Sequence, residues 1–161
     1  NFLSDVPGTT IATDRVDDEQ LRTPRAWNIR TVRNFMIVFG LTSAIFDVLT
    51  FVILRRLFHA DAVEFRSGWF IESTVTELAA MLVLRTARTF HRSRPSPALV
   101  WSSAIVLVVT VFIPFSPVAD PLGMASPSLW LLMGLLVVSG GYVLATEVAK
   151  HKWPQLLGAF G

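Results

Sequence analysis

Trp69-Phe-Ile-Glu-Ser-Thr-Val-Thr-Glu-Leu-Ala-Ala-Met-Leu-Val-Leu84 is the stretch on which the reading of this chain turns. It is apolar enough to sit in a membrane, yet it carries two carboxylates, Glu72 and Glu77, with hydroxyls between them. An ionisable side chain at the centre of a membrane helix costs roughly 2.5–3.5 kcal/mol on insertion scales, so such a residue usually faces a pathway or a partner. Glu77 lies seven residues from the end of the run, near the expected midplane, and shares a helical face with Ser73 four residues before it. Five residues turn Glu72 about 140° away from Glu77 and place it near the outer boundary. A polar face inside a greasy helix points to ion or proton handling.

The whole chain supports a membrane setting. Its 161 residues are 52% hydrophobic and only 16% charged, with a mean hydropathy of +0.54, whereas a soluble domain is about 25% charged. Apolar runs alternate with polar blocks. Phe35–Leu54, Trp69–Leu84, Val100–Phe115 and Leu129–Ala145 are four expected spans; twenty helical residues rise about 30 Å, the thickness of the hydrocarbon layer. Residues 1–12 read as the end of a further membrane helix, interrupted at Pro7 and Gly8. Residues 13–34 read as a polar loop, 35–149 as the bundle and 150–161 as a tail. The expected fold is an all-α membrane bundle of four transmembrane helices preceded by the end of a fifth.

Lys and Arg concentrate on one side. Arg15, Arg22, Arg25, Arg30, Arg33, Arg85, Arg88, Arg92, Arg94, Lys150 and Lys152 face eleven to three against Arg55, Arg56 and Arg66. The positive-inside rule then makes loop 13–34 and the carboxyl tail cytoplasmic, in a multi-pass protein of the plasma membrane. Trp27, Trp69, Trp101, Trp130 and Trp153 flank the spans as an interfacial belt. Gly40 with Ala44 and Gly141 with Ala145 are small residues one turn apart, suited to helix packing.

Several function classes drop out. There is no cysteine, hence no disulfide and no zinc–thiolate site. His59, His91 and His151 show no ligand spacing. With a net charge of +2 and no basic stripe, nothing points to nucleic acid. Glycine-rich phosphate loops, Ser/His/Asp sets and HExxH are absent, so the segment does not itself carry out phosphoryl transfer. Asn1, not Met, opens the chain without a signal peptide, so the chain is expected to begin mid-protein or to have been processed.

The remaining polar residues form a short roster. Asn1, Ser4 and Asp5 stand at i, i+3 and i+4, an amide, a hydroxyl and a carboxylate on one helical face. Oxygen donors of this kind suit a hard cation such as magnesium, and broken helices recur at transporter sites; a polar helix end at the membrane surface is the other reading. Glu77 reads as a pathway or ligand residue by its depth, Glu72 as either a vestibule or a structural residue, and Asp47 as an interhelical hydrogen-bonding group. The acidic run Asp14, Asp17, Asp18 and Glu19 reads as a solvated or docking face.

These residues carry a resemblance. Asn-Phe-Leu-Ser-Asp5, Asp14-Arg-Val-Asp17, Leu21-Arg-Thr-Pro-Arg-Ala-Trp27, Phe35 through Asp47, Phe65-Arg-Ser-Gly-Trp-Phe-Ile-Glu-Ser73, Leu84-Arg-Thr86 and Ile113-Pro-Phe-Ser-Pro117 resemble the carboxyl-terminal membrane region of magnesium-importing P-type ATPases. The resemblance implies that residues 1–12 end the sixth membrane helix and the four spans are helices seven to ten. Asn1 and Asp5 then match an Asn-x-x-x-Asp pattern that coordinates the transported cation, with Ser4 beside it. Glu77, with Glu72 as competitor, falls near the polar ligand of the eighth helix. Loop 13–28 would lie near a phosphorylation domain. Magnesium is the implied transported ion, and ATP would bind only to domains outside this segment. The implied partners are lipids and the other helices and cytoplasmic domains of the parent ATPase. Two other readings stay open from the residues alone: a small secondary transporter using Glu77, and a non-catalytic assembly subunit.

Overall fold

A computed structural model describes residues 2–14, 29–86 and 93–152. Asn1, residues 15–28 with Asp17, Asp18, Glu19 and Trp27, the connector 87–92 with His91, and the tail 153–161 with Trp153 lie outside the described residues. All regular structure among the described residues is helical. We number the helices α1 (Phe2–Thr10), α2 (Ile29–Val52), α3 (Ala62–Leu84), α4 (Pro97–Phe112) and α5 (Leu129–Lys152).

Each helix starts and stops for a local reason. α1 continues through Pro7 and Gly8 to Thr10 and closes in a 3-10 turn, Ile11–Thr13, so it is not interrupted at Pro7. Pro7 removes one N–H, leaving the Leu3 carbonyl without its helical donor, and the helix survives that single loss. α2 begins at Ile29, ahead of the apolar run from Phe35, and ends in a π turn, Ile53–Leu57. The chain reverses at His59 (φ 50°), and Ala60 N donates to Leu54 O at 3.0 Å. Asp61 caps α3: its Oδ1 accepts from Val63 N and Glu64 N at 2.9 and 2.8 Å, which satisfies two of the free N–H groups of a helix start. α3 therefore starts seven residues before Trp69. Ser96 caps α4 ahead of Pro97, whose missing N–H is harmless at the first helical position.

The bundle is inside out. α2 exposes Met36, Ile37, Leu41, Ile45, Val48 and Phe51, and Trp101 and Trp130 point outward. Thr50, Glu72, Thr74, Thr110, Thr146 and Lys150 are fully buried. Water would drive the opposite sorting; a lipid surround permits this one. Three helices, α2 with its π turn, α4 with its 3-10 end, and α5, are long and apolar enough to cross a membrane. α3 is not one of these three because glutamates and hydroxyls interrupt it, although its 23 residues span about 34 Å.

α3 is the axis, packed against each of the other four helices. At one end Leu54, Ala60, Ile71, Leu131 and Leu135 form an apolar cluster walled by Phe58, Phe65 and Trp69. Gly68 lets α3 approach: a Cβ there would lie 2.9 Å from Leu54 Cδ2. α5 buries Leu131, Leu135, Val138, Tyr142, Thr146 and Ala149, a single helical stripe. Gly141 admits the ring of Phe46, which also meets Tyr142 edge-on at 5.5 Å. Gly40, by contrast, faces open space.

Candidate functional site

The face between α1 and α3 is built by two parallel segments. Gly8 of α1 faces Met81 of α3. Further along both, Asp14 Oδ2 pairs with Arg85 Nη1 at 2.7 Å. Residue numbers thus rise together on the two strands of this contact. One turn back from Gly8 is Ser4, and one turn back from Met81 is Glu77, each on the same face as its successor. Ser4 is buried, Asp5 beside it is exposed, and Glu77 is partly buried with its Oε2 shut away from solvent and without a hydrogen-bond partner. The Leu3 carbonyl freed by Pro7 sits next to Ser4 in sequence. The level of Ser4 and Glu77 therefore combines a hydroxyl, a spare carbonyl, the Asp5 carboxylate and an unsatisfied carboxylate oxygen.

Ser73 does not join Glu77, since its hydroxyl donates to Phe70 O on its own helix at 3.3 Å. Thr76 likewise turns back to Glu72 O at 2.9 Å. Glu72 faces another way. The groups that act on it are Thr50 and Asp47 of α2. Among the described residues, no three His, Cys, Asp or Glu side chains come together as a ready metal cage. Asn1 lies outside the described residues.

Beyond this face, charges tie the helix ends together. Asp14 does not form a solvated surface: its Oδ1 accepts from Ser96 N at 2.7 Å while Oδ2 holds Arg85. Arg85 also donates through Nη2 to Ser93 O. One aspartate thus joins the end of α1 to the end of α3 and the cap of α4. Lys150 belongs to α5 rather than to a solvated tail. Its buried Nζ donates to Val83 O at 3.0 Å and pairs with Glu147 at 2.8 Å. A cation on a terminal carbonyl of α3 satisfies a group the helix cannot satisfy itself and complements its dipole. No local sequence pattern announces either contact, because the partners are about seventy residues apart. At the opposite end Arg66 Nη1 donates to Gly123 O at 2.7 Å and anchors the loop between α4 and α5.

Comparison with known proteins decides the class. Residues 1–151 match the family described as cation transporting ATPase, C-terminus. The chain belongs to that family. It is 37% identical over 163 residues to the magnesium-transporting ATPase, P-type 1, of Escherichia coli K12, covering 98% of this chain and 18% of that protein. A magnesium-transporting ATPase, P-type 1, of Salmonella typhimurium LT2 is 36% identical over 163 residues with the same coverage. A second from that strain is 33% identical over 167 residues. The chain thus spans 18% of the length of the curated relatives it matches. As a cation-transporting ATPase C-terminus with an inside-out helical bundle, it is a multi-pass membrane domain.

Proposed function

We propose that this chain is the carboxyl-terminal membrane region of an ATP-driven magnesium pump of the plasma membrane. It supplies one wall of the transmembrane cation site, its α1 and four longer helices being helices six to ten of that pump. The observation that carries the reading is the parallel α1–α3 contact, which brings Ser4 and Asp5 to the level of Glu77 with a buried carboxylate oxygen unsatisfied. Asn1, Ser4 and Asp5 supply oxygens from α1, and Glu77 supplies one from α3. A hard cation that keeps part of its hydration needs only a few protein oxygens of this kind. Glu72 is set apart from this wall by its turn toward α2.

In this reading ATP binding and phosphoryl transfer belong to other domains of the pump, which toggle access to the site. The segment ahead of α2 and the carboxyl tail are cytoplasmic, by the distribution of Lys and Arg. Asp14, at the end of the α1 segment, then links movement of α1 to α3 and α4. A small secondary transporter gains no support, since the relatives are named as ATPases.

Asp5→Asn and Glu77→Gln in the full-length pump are each expected to lower magnesium-stimulated ATP turnover and magnesium uptake about tenfold or more. Losing one charge-assisted contact costs about 1.5–3 kcal/mol, and 1.4 kcal/mol is a factor of ten. Wild-type turnover and uptake in both variants would overturn the site.

A further inference from the structure

Glu72 is the most deeply placed carboxylate among the described residues. Its side chain is fully buried, and neither Oε1 nor Oε2 has a hydrogen-bond partner. α2 and α3 are joined by a short reversal and run antiparallel. Leu54 meets Gly68 across their contact, so one turn back on α2 and one turn forward on α3 set Thr50 opposite Glu72. Thr50 is itself fully buried, and its Oγ1 is also unpartnered. Asp47 shares the Thr50 face, three residues earlier, and acts on Glu72 as a like charge. The α5 residues packed around neighbouring Ile71 are Leu131 and Leu135, and Val75, Leu78, Ala79 and Leu82 of α3 line an apolar cleft toward α4. None of these carries a charge. The cations Arg85 and Lys150 have their partners at the far end of the bundle.

Two states of Glu72 fail in this setting. An ionised carboxylate buried without a counter-charge is heavily penalised even where a hydroxyl such as that of Thr50 turns to donate to it, and the facing acid Asp47 adds repulsion. A bound metal ion is ill served too: a hard cation usually keeps several waters, whereas Glu72 and Thr50 are both shut away from solvent. A neutral carboxylic acid fits, because its O–H can donate to Thr50 Oγ1 or to the Asp47 carboxylate, which an ionised group cannot do.

We propose that Glu72, with Thr50 and Asp47 facing it, is a proton-binding site between α2 and α3, distinct from the cation face between α1 and α3. The ligand is a proton, held on Glu72 at neutral pH and shared across the helix contact. The assignment does not rest on the cation site, because α1 takes no part in it.

Infrared spectroscopy of the full-length protein in lipid nanodiscs at neutral pH reads the state through the C=O stretch of a protonated carboxyl, which an ionised carboxylate lacks. The expected result is a slowly deuterating carboxyl band that Glu72→Gln removes and Glu77→Gln leaves in place. Glu72→Gln is further expected to keep the wild-type melting midpoint and the wild-type response of that midpoint to magnesium. A wild-type spectrum without the band overturns the proposal, as does a folded Glu72→Gln protein that has lost its response to magnesium. Should Glu72→Gln not fold, Thr50→Val decides: a shifted carboxyl band supports the shared proton, and an unmoved band overturns it.

Discussion

The two ends of the bundle are held by different physics. At the end of Leu54, Ile71, Leu131 and Leu135, helices meet through close apolar packing, with Gly68 and Gly134 letting backbone approach side chains. At the end of Asp14, Arg85, Glu147 and Lys150, they meet through ion pairs and cation-to-carbonyl bonds. Lipid tails are as apolar as leucine, so burial alone gives helices little reason to associate in a membrane. Steric fit serves where side chains are apolar, and directed polar links serve where the helices run out of hydrogen-bond partners. Between these ends lie Glu72 and Glu77, whose carboxylate oxygens are buried without hydrogen-bond partners.

The sharpest way to break the contrast is at Lys150. Lys150→Met keeps the volume but leaves the Val83 carbonyl bare and the Glu147 carboxylate short of its main counter-charge. Removing one partner of a buried ion pair costs about 3–5 kcal/mol, so a marked fall in the melting midpoint of the detergent-solubilised full-length protein is expected. Asp14→Ala comes next. It releases Arg85 Nη1 and Ser96 N together, and losing a charged hydrogen bond costs about 1.5–3 kcal/mol. Limited proteolysis around residues 85–96 is expected to speed up, and unchanged cleavage would show that the clamp is dispensable.

At the apolar end the effect is steric and smaller. A Cβ at Gly134 would lie 2.7 Å from Phe58 Cε2 and Cζ, atoms of a rigid ring. Gly134→Ala is expected to destabilise by about 1–3 kcal/mol through overpacking, with relief on adding Phe58→Leu. Gly140 on the same helix meets nothing within 4 Å, so Gly140→Ala should be neutral or slightly stabilising, by at most about 1 kcal/mol. Equal effects at the two glycines, measured by thermal unfolding, would erase the distinction between fit and open surface.

Much of this was legible along the chain. The apolar runs and the loop charges pointed to membrane helices, because a helix in lipid must satisfy its backbone internally and advertise its outer face. The separation of Glu72 from Glu77 was also legible, since the helical repeat turns five residues by about 140°. Which helix each glutamate faces was not, because that depends on how α3 is rotated among four neighbours. α3 itself shows the limit from the other side: its capped start at Asp61 lies outside the apolar run that marks it.

Composition, periodicity and spacing by themselves determined an all-helical membrane domain and drew attention to Asn1, Ser4, Asp5, Glu72 and Glu77. Only the tertiary structure decided that Ser4 and Glu77 share a level, that Glu72 turns to Thr50 and Asp47, and that Asp14 and Lys150 are structural ties rather than surface charges. The physical reason is range. Helix formation and membrane preference are local sums over neighbouring residues, whereas a buried charge is assigned by a partner some seventy residues away that only packing brings near.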